Sequence, residues 1–152
     1  MKMLTKALKT KLLENGASPD QDHHPVVKFF APWGDATWLF SQIDPDDQDQ
    51  IFGLCDLGFG YPELGWNSLT EICAATGPAG LKIERDLHWE ATAPISLYAQ
   101  AARNAGRIVD RLSDLNSKPK LPPNVEVVGF GMSDEDVAKV SDALAEQIDK
   151  HR

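Results

Sequence analysis

Two groups of side chains have the types and spacing for chemistry. Asp56 and Glu63 flank the glycines of FGLCDLGFGYPELG, residues 52–65. Glu84, Asp86 and His88 alternate through LKIERDLHW, residues 81–89. On a strand, alternate residues share a face, and two such carboxylates stand about 7 Å apart. Two or three carboxylates with a histidine can hold Mg²⁺ or Mn²⁺ and activate water for hydrolysis. The same residues suit the wet face of an edge strand. The primary assignment is therefore no catalytic residue, no metal and no cofactor. Asp56, Glu63, Glu84, Asp86 and His88 are the set to test if the protein is an enzyme.

No phosphate-binding loop of the form G-x-x-x-x-G-K-[ST] is present, nor C-x-x-C, H-E-x-x-H or G-x-S-x-G. Gly58 and Gly60 lack the helix directly after them that a dinucleotide site requires. Cys55 and Cys73 have no cation or histidine beside them in sequence, so both read as small core residues rather than nucleophiles. Glycines supply positive φ and proline fixes a turn, so Gly58, Gly60, Pro62 and Gly65 read as a structural corner.

Charge points towards binding. The chain of 152 residues carries a net charge of -8. Residues 1–16 hold four lysines against Glu14, a net of +3. Residues 20–71 hold ten carboxylates against Lys28 alone, a net of -9. An acidic surface repels phosphate, so direct duplex DNA binding is not expected. It would attract a basic groove on a partner protein, and it equally serves to keep a protein in solution. Asp44, Asp46, Asp47 and Asp49, in one polar loop, are candidate partner-binding residues. Trp33 and Trp66, in turn-rich stretches, are candidate anchors.

The elements that must position these residues follow from periodicity. Thr5 can cap a helix with Leu4, Leu8 and Leu12 on one stripe and Gly16 just past its end. Residues 26–30 and 37–40 read as a hairpin turning at Pro32–Asp35. Residues 51–57 read as a third strand. Ser68-Leu-Thr-Glu71 is a capping box before a short helix that ends at Gly77-Pro78. Residues 81–89 read as a half-buried strand with Arg85 on its apolar side, which demands a partner such as Asp56, Glu63 or Glu71. From Ser96 a long helix is expected, with Leu97, Ala101, Ala105, Ile108, Leu112 and Leu115 as its apolar stripe. Arg103, Arg107 and Arg111 form a second stripe, with Asp110 in reach of Arg107. Residues 117–123 read as a linker, 125–130 as a strand, and a last helix follows Ser133. The order predicts an α+β fold: a small antiparallel sheet with helices packed on one side. Residues 1–116 form the main domain, and residues 124–152 a strand–helix extension packed on it. No apolar run is long enough to span a membrane. The lysines of the N-terminus are not followed by an apolar block, which argues against a signal peptide. With two cysteines, the expected location is the cytoplasm.

HPVVKFFAPWGDATWLFSQIDPDD, FGLCDLGFGYPELGWNSLTE, GPAGLKIERDL and PISLYAQAARNAGRI occur in this order. Together they resemble a bacterial family catalogued as domain of unknown function 2958, over residues 4–108. The resemblance implies no established activity. It implies encoding on plasmids, phages and integrative elements, near antirestriction and DNA-maintenance genes. The leading expectation is an acidic accessory protein that binds and inhibits a host nucleic-acid-handling defence complex, of the anti-CRISPR or antirestriction type, with nucleic-acid mimicry as one mode. The alternatives are a metal-dependent hydrolase or nuclease using the carboxylates, and a small regulatory DNA-maintenance module using the arginine stripe.

Overall fold

The computed structural model describes residues 2–111. The expected strand at 125–130, the helix after Ser133 and the 124–152 extension lie outside the described residues. Within them, α1 (Lys6–Gly16) is followed by four strands: β1 (Val27–Phe30), β2 (Thr37–Ile43), β3 (Gln50–Asp56) and β4 (Glu63–Ser68). Then come α2 (Leu69–Ala74), a 3₁₀ turn, a two-residue strand β5 (Glu84–Arg85) and α3 (Ile95–Ala105). The sheet has the order β4-β3-β2-β1-β5, and every pairing is antiparallel. The fold is α+β, as the sequence predicts.

Alternation along β2 divides the core in two. Trp38 and Phe40 point to one face, where they pack with Leu12 of α1, Phe29, Ile51, Ile72 of α2 and Ile83. Leu39 points to the other, where it packs with Leu54 and with Tyr98, Ala99 and Ala102 of α3. The helices are thus shared between the two faces rather than gathered on one. A bulge between Phe40 and Gln42 absorbs Ser41 and returns Ile43 to the α1 face.

Local signals set the element ends. Thr5 Oγ1 accepts from Leu8 N–H at 3.2 Å, and Ser68 Oγ accepts from Glu71 N–H at 3.2 Å. Gly16 is not the residue past the helix end. It lies inside α1, buried against β2, where an added Cβ would fall 1.8 Å from the Ile43 carbonyl oxygen. Its lack of a side chain lets the helix backbone rest on the strand backbone.

Three other expectations are corrected. Residues 81–89 form only the two-residue β5, and Leu81 and Leu87 are exposed. The Asp86 side chain accepts from His88 N–H at 2.9 Å, a turn that ends the strand. Arg85 makes no ion pair with Asp56, Glu63 or Glu71, and its Nε is buried with no hydrogen-bond partner among the described residues. Finally, α3 stops at Gly106, which takes the left-handed conformation at φ 72°. Its buried face is Ile95, Tyr98, Ala99 and Ala102, while Leu97 is exposed. Ser96 does not cap this helix with its own side chain. Asp22, 74 residues upstream, accepts from Ser96 N–H at 3.1 Å and from the Ser96 hydroxyl.

Candidate functional site

The glycine-rich stretch joins the most exposed apolar side chains among the described residues. β3 and β4 pair from Gln50↔Ser68 to Cys55↔Glu63 with no bulge, so residues 57–62 form the hairpin loop. Gly58 and Gly60 both have φ of 87°, a conformation that only glycine adopts without strain. Between and beside them stand Leu57, Phe59 and Tyr61, the last two 78% and 81% exposed. The glycines and these apolar residues turn to different sides. Gly58 and Gly60 line a cleft of 650 Å³ with Thr37, Asp35 and Arg107. Leu57, Phe59 and Tyr61 line a groove of 390 Å³ with Leu64 and Trp66 of β4. Pro62 is buried and fixes the entry into β4.

β4 was hidden in the sequence by its glycine and asparagine, yet Leu64 and Trp66 show the two-residue period of a strand. Gly65 belongs to this strand rather than to the corner, and no atom lies within 4 Å of where its Cβ would be. Trp66 is 48% exposed and leans on Phe52 of β3, ring centroids 5.3 Å apart. Leu57, Phe59, Tyr61, Leu64 and Trp66 therefore form one continuous apolar surface at the sheet edge. Isolated surface hydrophobes are ordinary, but a contiguous aromatic patch marks an interaction site.

Asp56 anchors the loop behind this surface. It is 3% exposed; its Oδ1 accepts from Gly58 N–H at 2.8 Å and its Oδ2 from Ile108 N–H at 2.9 Å. Both carboxylate oxygens are thus committed to backbone. The bond to Ile108 ties the hairpin loop to the segment after α3. Lys28 ties down the same segment: it pairs with Asp86 at 3.4 Å and with Asp110. Trp89 Nε1–H adds a bond to the Asp110 carbonyl at 2.8 Å. Asp110 thus serves Lys28 rather than Arg107.

The five candidate catalytic residues do not assemble. Asp56 is buried as a backbone acceptor, Glu63 is exposed on β4, and Glu84 and Asp86 sit at the opposite edge of the sheet. Burial pushes the Asp86 carboxyl up, but bonds from His88 and Trp89 N–H and the Lys28 charge together bring it below the usual carboxylate range. Among the described residues no three His, Cys, Asp or Glu side chains are grouped as a metal site needs. Cys55 is half-buried, and burial pushes its thiol up, away from thiolate character. Cys73, read as a core residue, is exposed.

The acidic loop is largely built into the fold. Asp49 accepts from Ser68 Oγ at 2.6 Å, Thr70 N–H at 2.8 Å and Thr70 Oγ1 at 2.6 Å. These bonds, Ser68 first, hold its carboxyl below the usual range. Asp44 accepts from Asp46 N–H and Asp47 from Asp49 N–H, which leaves Asp46 as the one of the four whose carboxylate makes no hydrogen bond among the described residues. Trp33 is 36% exposed and lies apart from the hairpin groove. Its ring lies against Gly77, where a Cβ would fall 2.2 Å from Trp33 Cδ2. The arginine stripe is broken, because Gly106 ends α3 between Arg103 and Arg107.

Charge sets the character of this half of the domain. Between Lys28 and Lys82 there is no lysine or arginine, and there are eight carboxylates: Asp35, Asp44, Asp46, Asp47, Asp49, Asp56, Glu63 and Glu71. β2, β3, β4 and α2 all fall in this stretch. No helix among the described residues is long and apolar enough to cross a membrane.

The chain belongs to the family described as "Protein of unknown function (DUF2958)", which matches residues 3–109. The match ends one residue beyond the Ile108 amide that Asp56 holds. No curated protein and no solved structure matches the chain.

Proposed function

We propose that this protein is a binding protein that docks a basic partner on its β3–β4 hairpin. The observation that carries the reading is the contiguous exposure of Leu57, Phe59, Tyr61, Leu64 and Trp66 at a sheet edge. Aromatic side chains bring large contact area at small entropic cost, which suits them to anchor an interface. Glu63 lines the same groove, and the stretch from residue 29 to 81 holds eight carboxylates and no lysine or arginine, which together select a partner of positive surface charge. Host complexes that handle nucleic acid present such surfaces, and inhibition of one is the biological role proposed here. The acidic loop then steers the encounter at long range rather than copying a phosphate backbone, because three of its four aspartates hold the loop together.

The test is affinity capture of the tagged chain from a bacterial host at low and moderate salt. It is run beside a Phe59→Ser/Tyr61→Ser variant with unchanged circular dichroism. The reading expects a stoichiometric partner that weakens as salt rises and is absent with the variant. Equal capture by both proteins would remove the hairpin from the account.

A further inference from the structure

We infer that the partner contributes an extended segment that pairs with the outer edge of β4 as a sixth strand, alternating basic and apolar residues. The inference rests on the hairpin reading above and specifies its geometry. β4 is the last strand of the sheet, and its outer edge is unpaired among the described residues. Sheet edges are commonly guarded by lysine, proline, a bulge or shortness. β5, at the far edge, is guarded by its two-residue length. β4 lacks lysine, a bulge and shortness: it runs six residues, E-L-G-W-N-S, in unbroken register with β3, with Glu63 as the one charge at its start. Gly65 at its centre leaves open space where a side chain would stand.

The chemistry of the incoming strand follows from the pleat. Leu64 and Trp66 share one face of β4, and Glu63, Gly65 and Asn67 share the other. A paired strand places its alternate residues beside the same two rows. Apolar residues of the partner meet Leu64 and Trp66, and intervening basic residues meet the Glu63 row. Glu63 supplies a carboxylate at the start of the edge, in a stretch from residue 29 to 81 that holds no lysine or arginine. A second copy of this chain is the poorer occupant, since it would bring eight carboxylates and no cation from the same region against their own kind. Backbone bonds supply the affinity of such strand addition, and the alternating side chains supply its specificity.

The probe is the capped heptapeptide KVRVKVR, added to the full chain and followed by amide chemical shifts. Three controls accompany it: the same peptide with its valine nitrogens methylated, the block sequence KRKRVVV, and the acidic EVDVEVD. The expected result is saturable shifts centred on residues 63–68 at up to about 1 mM peptide, a level that reads binding of only about 4 kcal/mol. All three controls lose binding, and Trp66→Lys weakens the peptide at least tenfold. Equal binding of the methylated peptide would overturn strand pairing while leaving the hairpin as a docking surface. Absence of binding by KVRVKVR overturns the inference too, and the fate of the hairpin reading is then decided separately by the Phe59→Ser/Tyr61→Ser capture. Slow hydrogen exchange of the outward-facing amides of Leu64, Trp66 and Ser68 in the free chain would show the edge already covered, by a second copy if sedimentation gives a dimer and from within the chain if it gives a monomer. Either case overturns the inference.

Discussion

Replacing Asp56 tests whether this buried carboxylate is a structural latch. Its two oxygens accept from Gly58 N–H and Ile108 N–H at 2.8 and 2.9 Å, and the residue is 3% exposed. A hydrogen bond to a charged group contributes about 1.5–3 kcal/mol, and a buried donor left without an acceptor costs about 1–3 kcal/mol. Asp56→Ala removes both acceptors at a side chain that is itself almost fully covered, so the expected loss is about 3–5 kcal/mol. That is at least about a fifth of a typical domain's stability of about 5–15 kcal/mol. Asp56→Asn keeps one carbonyl acceptor and turns an amide nitrogen towards the other donor, for a loss of about 1–3 kcal/mol. The assay is urea unfolding of the full chain, where slopes of about 1–3 kcal/mol/M turn the alanine loss into a midpoint shift of about 1 M or more. Native-state hydrogen exchange gives the local reading: the Gly58 and Ile108 amides should lose protection in both variants. Asp56→Ala within about 0.5 kcal/mol of the parent protein would refute the latch, since that is the ordinary range for a neutral surface change.

Four further outcomes follow from the packing. Gly16→Ala places a Cβ 1.8 Å from the Ile43 carbonyl oxygen, so α1 must lift off β2, at a cost of about 2 kcal/mol or more by thermal unfolding. Arg85→Leu should be neutral or stabilising by about 1 kcal/mol, because the arginine Nε is buried with no acceptor among the described residues; a loss above about 2 kcal/mol in urea would contradict this. Ser68→Ala should cost about 1 kcal/mol by removing the cap of α2 and one of the bonds to Asp49. For pH, the folded carboxyl of Asp49 lies below its unfolded value. Its stabilisation is therefore present above about pH 4 and is lost as pH falls through the folded value. Asp49→Asn should flatten that acid limb of the stability curve and leave the slope above neutrality unchanged.

Local signals in the sequence were sound guides where the fold is local. Thr5, the turn at Pro32–Asp35 and the Ser68–Glu71 box each act within a few residues, and each stands where the sequence places it. The misreadings have long-range causes. α3 begins at a cap supplied by Asp22 from across the chain, and Tyr98 and Ala99 win the core because Leu39 and Leu54 wait opposite them. The period-two run at 81–89 looks like a strand, but the Asp86 turn ends it after two residues. Gly16 reads as a helix stop because nothing in sequence announces the approach of Ile43. The same limits shaped the candidate site. Asp56 was visible as a conspicuous carboxylate, but its partner Ile108 lies 52 residues away. Trp66 was visible as an anchor, while β4 beneath it was masked by Gly65 and Asn67. Asp56 and Glu63 looked able to join Glu84 and Asp86 only because sequence cannot say that β3 and β4 lie at one side of the sheet and β5 at the far edge.

The central claim is that the β3–β4 hairpin is the surface through which this protein works. Hydrogen exchange of the full chain, free and bound to the partner recovered by capture, tests it most directly. The account predicts new protection concentrated in residues 57–67, with α1 and the Asp44–Asp49 loop unchanged. Protection of that loop or of α1, with residues 57–67 exchanging as in the free chain, would contradict it.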